Sequence, residues 1–178
     1  MNNKHISQAL FTLIIASSTG VVLAGPATTN FDVTANVAAN CTIAATLVGF
    51  GPYDPVSTTV TGTPLTYGGG AVKVTCTKGS TATIGLGPGN NVSAAVRRMK
   101  GINVSNFLTY ELYKPSDNLA GTQCTTYSGT VWNVTNTLTT TAAPSNAERS
   151  YSICGSVAGG QDVAVDSYSD IVMASVSF

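Results

Sequence analysis

Charge is scarce in this sequence: only 9% of its 178 residues are charged, and eight basic and eight acidic side chains cancel to a formal net charge of zero. No basic run exists, so phosphate backbones and anionic membrane surfaces are poor partners and no nucleic-acid role is expected. Histidine is scarcer still, because the single one, His5, sits among the first residues. A nucleophilic triad needs a base, most often histidine, and beyond His5 the chain has none. The acids Glu111, Asp117, Glu148, Asp162, Asp166 and Asp170 are scattered, mostly among turn formers, where aspartate accepts local hydrogen bonds. They do not read as the carboxylate pair of a glycosidase. Phosphate-cradling glycine loops lead into helices, and no helical pattern is evident here. The expectation is a non-enzymatic chain with no catalytic residue, no cofactor and no metal.

Long apolar runs are also missing. The one near the start spans Ala9 to Ala16, follows Lys4, and gives way to Ser17, Ser18, Thr19 and Gly20 before Val22-Leu23-Ala24. A basic start, a short apolar core and small closing residues make residues 1–24 a secretory signal, with cleavage expected after Ala24. A retained N-terminal anchor is the other reading, although the run is short for a membrane span. Cysteines number four, Cys41, Cys76, Cys124 and Cys154, and none forms a Cys-x-x-Cys pair. An even count in an exported chain reads as two disulfides rather than a metal site. Three pairings are open from sequence. Cys41–Cys76 with Cys124–Cys154 is favoured, because neither loop crosses the other, and each bridge is worth about 3–4 kcal/mol.

What the chain does have is threonine, serine, glycine, valine and asparagine, a composition of short strands and turns. From Phe31 the residues alternate, with Phe31, Val33, Ala35, Val37 and Ala39 on one parity, so a strand with one apolar face is expected over 31–39. The region 51–70, with Pro52, Pro55, Pro64 and several glycines, reads mostly as loop. Further strands are expected over 71–76, 81–86, 107–113 and 149–154, with a last one over 172–178. Arg97, Arg98 and Lys100 form the one basic cluster and read as a solvated turn or strand edge, the alternative being a contact patch for an acidic partner. Trp132 reads as a core or inter-sheet plug. Four Asn-x-Ser/Thr sequons, at Asn40, Asn91, Asn103 and Asn133, are ascribed to composition. Strands at this spacing with turns between them give an all-β sandwich.

Several local matches then add up. Tyr110-Glu111-Leu112-Tyr113 leads into Lys114-Pro115-Ser116-Asp117; Val131-Trp132-Asn133 follows; then come Tyr151-Ser152-Ile153-Cys154-Gly155 and Ala158-Gly159-Gly160-Gln161. The close is Tyr168-Ser169-Asp170 followed by the alternating run to Phe178. This order resembles the spore coat protein U domain, the family of archaic chaperone–usher (Csu-type) pilins, from about Phe31 to Phe178. The resemblance implies an incomplete immunoglobulin-like β-sandwich completed by donor-strand exchange. Residues 25–40 would then be a donor-strand segment carrying Phe31, Val33, Ala35 and Val37, and 41–178 the pilin domain. Val172, Ala174, Val176 and Phe178 would line one side of the acceptor groove. The first disulfide of the family maps onto Cys41 and Cys76, whereas Cys124–Cys154 rests on the cysteine count. The implied partners are a periplasmic pilus chaperone, an outer-membrane usher and neighbouring pilus subunits, on a path through the periplasm to the cell surface, where the pilus would serve attachment and biofilm formation. Two other readings share this composition: a secreted coat or spore-surface protein, and a carbohydrate-binding sandwich.

Overall fold

The structure, a computed structural model, describes residues 24–56, 64–125, Tyr127 and 129–178. The expected signal therefore lies outside the described residues up to position 23, as do residues 57–63 of the expected loop. Among the described residues every regular element is a strand. In chain order these are β1 (Cys41–Ala45), β2 (Pro64–Cys76), β3 (Thr83–Leu86), β4 (Arg97–Gly101), β5 (Phe107–Tyr113), β6 (Leu138–Thr139), β7 (Arg149–Ala158), β8 (Tyr168–Ser169) and β9 (Ala174–Ser177). They form a six-stranded sheet in the order β1-β2-β7-β5-β4-β8 and a three-stranded sheet in the order β6-β3-β9. All of the paired strands run antiparallel.

Period-two alternation supplies the core. Leu108, Tyr110 and Leu112 of β5, Val72, Val74 and Cys76 of β2, and Tyr151, Ile153 and Val157 of β7 are buried along one face of the larger sheet. Ile84 and Leu86 of β3 and Leu138 of β6 answer them from the smaller sheet. Each fully buried aliphatic side chain contributes about 1.5–3 kcal/mol relative to exposure. Trp132 is fully buried; its backbone amide donates to the Leu112 carbonyl at 2.8 Å and its indole to the Ile84 carbonyl at 3.0 Å. It thus bonds one strand from each sheet, which makes it the inter-sheet plug.

Four details differ from the sequence reading. The alternating stretch 31–39 forms no strand, and Phe31, Val33 and Val37 are 83%, 84% and 80% exposed. An amphipathic strand is not stable without a neighbouring edge to pair with. β2 starts at Pro64 rather than near residue 71, because Gly68, Gly69 and Gly70 pair with Gly155, Cys154 and Ile153 of β7, which itself runs on to Ala158. Gly68 and Gly70 are there for close approach. A Cβ on Gly68 would come within 2.6 Å of the Gly49 carbonyl oxygen, and one on Gly155 within 2.7 Å of the Phe50 ring. The last strand is shorter than the expected 172–178: β9 covers Ala174–Ser177 on the smaller sheet, Tyr168–Ser169 forms a separate strand, β8, on the larger one, and 170–173 crosses between them.

The fourth difference is Arg97, which is 3% exposed, not solvated. Its guanidinium donates to the carbonyls of Gly87 and Trp132, each at 2.8 Å, and pairs with the Glu111 carboxylate. A buried charge is tolerated when its donors are satisfied in this way. Arg98 lies over the Phe107 ring at 4.2 Å, and only Lys100 of the cluster is exposed.

Candidate functional site

The sheet order leaves β1 at one edge of the larger sheet and β9 at one edge of the smaller, and the two edges lie side by side. Among the described residues no hydrogen-bonded ladder joins them. Between Ala45–Phe50 on one side and Tyr168–Ala174 on the other is an open cavity of about 390 Å³. Its floor includes Leu86, Leu112 and Ile153, which are at most 5% exposed, so the cavity reaches the core itself. A second cavity of about 570 Å³ adjoins it, sharing Leu47, Val48, Phe50, Met99 and Tyr168, and extends to Tyr53 and to Val163–Ser167. Together they form one groove that starts at the seam between the sheets, where Leu86 and Ala174 line it, and continues over Leu108 and Val157 of the larger sheet.

Local bonding holds the two walls apart. On the first wall Thr46 N donates to the Ala71 carbonyl at 2.8 Å, and Phe50 packs over Gly155 with its ring tilted against Tyr110 at a centroid distance of 5.8 Å. Farther along, Tyr53 accepts from the Gln161 backbone amide at 2.9 Å, while the Gln161 side chain accepts from Thr109 N at 2.7 Å. On the second wall Gly87 N donates to the Met173 carbonyl at 2.7 Å and Asn90 N to that of Ile171 at 3.1 Å. Those bonds lie on the side of the 170–173 crossing that faces β3 and the 87–91 turn.

Val172, Ala174 and Val176 are half-buried against the core, whereas Ile171 and Met173 are 71% and 74% exposed. Val172 and Ala174 line the first cavity. Phe178 lies beyond the end of β9 and is 57% exposed. Phe31, Val33 and Ala35 lie in the exposed segment 24–36, and Val37 opens the folded unit. Just after it, the Thr77 hydroxyl donates to the Ala38 carbonyl at 3.3 Å and Thr77 N to that of Asn40 at 2.9 Å. Two disulfides are present, Cys41–Cys76, which joins paired positions of β1 and β2, and Cys124–Cys154, which ties the chain after β5 onto β7.

The opposite wall escaped the sequence reading. Leu47, Val48 and Phe50 stand in a short apolar stretch before a proline- and glycine-rich region, and Met99 lies inside the basic cluster. The one signal available was that Val48 and Phe50 flank Gly49 with the parity of a strand face.

The Spore Coat Protein U domain model matches residues 27–175. The chain belongs to the Spore Coat Protein U domain family. Among its relatives, Protein U of Myxococcus xanthus is 31% identical over 166 residues, a match covering 87% of each chain. This Spore Coat Protein U domain also resembles a solved structure, the CsuC–CsuE chaperone–tip adhesion subunit pre-assembly complex from archaic chaperone–usher Csu pili of Acinetobacter baumannii. The TM-score is 0.54 at 20% identity, and the match covers 80% of this chain and 40% of that chain. At that identity the likeness shows the fold, an all-β sandwich of immunoglobulin-like kind.

Proposed function

We propose that this Spore Coat Protein U domain is a structural subunit of an archaic chaperone–usher pilus, exported through the periplasm to the cell surface, where the pilus serves attachment and biofilm formation. The observation that carries this reading is the open groove between residues 45–50, which start at the end of β1, and residues 168–174, which lead into β9; its floor is the domain's own core. Two adjacent sheet edges with an apolar cleft between them form an acceptor for an added strand. The segment 25–40 has the composition to be that strand for another copy, with Phe31, Val33, Ala35 and Val37 on one parity. Burying Phe31, Val33 and Val37 contributes about 1.5–3 kcal/mol each, in addition to the backbone ladder. A donor at one end and an acceptor on the body make a head-to-tail contact, which propagates as a fibre instead of closing. Before assembly a periplasmic chaperone would cover the groove, and an outer-membrane usher would pass the subunit outward. The solved fold neighbour, a pre-assembly complex of a chaperone with a tip adhesion subunit, supports the chaperone step.

The test is deletion of Phe31–Ala39 in the exporting cell. The shortened chain should still co-purify with a small periplasmic partner in equimolar amount, yet electron microscopy should show no fibres. Fibres of normal length from the deleted chain would end the donor assignment. A second reading, a coat protein that assembles without thin fibres, is favoured by the family's description and by the 31% identity to Protein U. The same micrographs separate the two.

A further inference from the structure

The second wall of the groove is held by a carboxylate in addition to the backbone bonds from Gly87 and Asn90. Residues 170–173 belong to neither sheet's ladder, since β8 ends at Ser169 and β9 begins at Ala174. A segment of this kind, beside an open cavity, needs an anchor or it collapses into the space. Asp170 provides one with both oxygens. Oδ1 accepts from the Asn91 backbone amide at 3.1 Å and from Asn91 Nδ2 at 3.0 Å, and Oδ2 accepts from the Tyr110 hydroxyl at 2.7 Å. Tyr110 is part of the groove floor, and Asn91 closes the 87–91 turn, which also holds the carbonyls of Ile171 and Met173. Gly89 in that turn has a φ of +86°, and a Cβ there would overlap the Asp170 carboxylate. The turn is thus shaped around this one group.

We propose that Asp170 is a positioning residue for strand capture: shared between Tyr110 on the floor and Asn91 on the turn, its carboxylate holds the wall 169–174 open before the incoming strand arrives. This rests on the reading of the groove as a strand acceptor. An acceptor that is already in its bound shape loses less ordering entropy on binding, so the anchor acts on the rate and affinity of capture. Its bonds to Asn91 lie on the turn side of the crossing, and its bond to Tyr110 reaches the cavity floor.

The experiment uses the full chain with a labelled synthetic peptide of residues 27–40, following peptide uptake by fluorescence anisotropy and backbone protection by hydrogen exchange. Asp170→Asn keeps the shape but replaces one acceptor oxygen by a donor. It should slow uptake and speed exchange of the Asn90 and Asn91 amides by about tenfold or more, the factor that one charge-assisted hydrogen bond supplies. The amides of the β3–β9 ladder should keep their protection, which a general loss of stability would not allow. Tyr110→Phe removes one of the three bonds and should give a smaller change of the same sign; it decides the matter if Asp170→Asn does not fold. Unchanged uptake by a variant that has lost Asn90 and Asn91 protection would overturn the proposal, as would equal loss of protection in the β3–β9 ladder. If the unaltered chain takes up no peptide, the acceptor reading falls, while the exchange data still judge whether Asp170 holds the wall.

Discussion

The indole nitrogen of Trp132 lies 3.0 Å from the carbonyl oxygen of Ile84. That bond reaches from a residue beside β5 of the larger sheet to β3 of the smaller one, and the Trp132 carbonyl in turn accepts from Arg97 at 2.8 Å. The plug between the sheets is therefore polar at its ends and apolar in its body. The Leu112, Ile84 and Trp132 carbonyls around the plug are thereby satisfied, as buried backbone groups require.

Trp132→Phe should expose the importance of this bond. The smaller ring leaves a cavity and an unpaired Ile84 carbonyl, for a combined loss of about 2–3 kcal/mol. Urea denaturation of the purified chain measures it as a lower midpoint with an unchanged slope. A midpoint equal to that of the unaltered protein would show that the plug is not a principal support of the sandwich.

A tight turn enters β4 at some cost. Ala94 and Ala95 have φ of 47° and 64°, and Ser93 and Val96 exchange backbone hydrogen bonds of 3.0 and 2.8 Å around them. Two left-handed central residues define the turn type that favours Asn-Gly, and alanine is strained there by roughly 1 kcal/mol per residue. The double substitution Ala94→Asn with Ala95→Gly should raise stability by about 1–2 kcal/mol. The melting temperature reads this directly, and a fall would contradict the turn assignment.

Alkaline titration tests the Tyr110–Asp170 contact. Burial first, and then the Asp170 hydrogen bond and charge, push the Tyr110 phenol well above its ordinary value of 10.0. The folded chain keeps this phenol protonated at pH values where the unfolded chain ionises it. Its contribution to stability is complete below about pH 10 and is lost progressively as the pH rises from there toward the folded value. Tyr110→Phe cannot ionise, so its stability should fall less steeply above pH 10. Parallel alkaline limbs for the two proteins would contradict this, since Tyr168, also shifted upward, is present in both.

How much of this was legible in the sequence differs from element to element. Alternation placed β5 and the inward parity of Val172, Ala174 and Val176, because a sheet with one buried face writes a period of two into the chain. The lone tryptophan announced the plug. Arg97 did not announce its burial: a charged residue in a basic cluster reads as surface, and only the fold brings Glu111, Gly87 and Trp132 to its guanidinium. β2 was cut short in the reading because Gly68–Gly70 look like loop, although here they are flat strand on which Val48–Phe50 can lie. The 31–39 alternation has the pattern of a strand, yet among the described residues it joins no ladder. A local pattern reports which face wants burial, and it cannot report which edge, if any, the segment pairs with.

Strand uptake by a chain lacking residues 25–40 tests the proposed acceptor groove most directly. Mixed with the 27–40 peptide, the shortened chain should form a one-to-one complex that melts cooperatively at a clearly higher temperature than the shortened chain alone. A shortened chain that stays monomeric, melts as cooperatively without peptide and binds none of it would contradict the account, because the sandwich would then be complete within a single molecule.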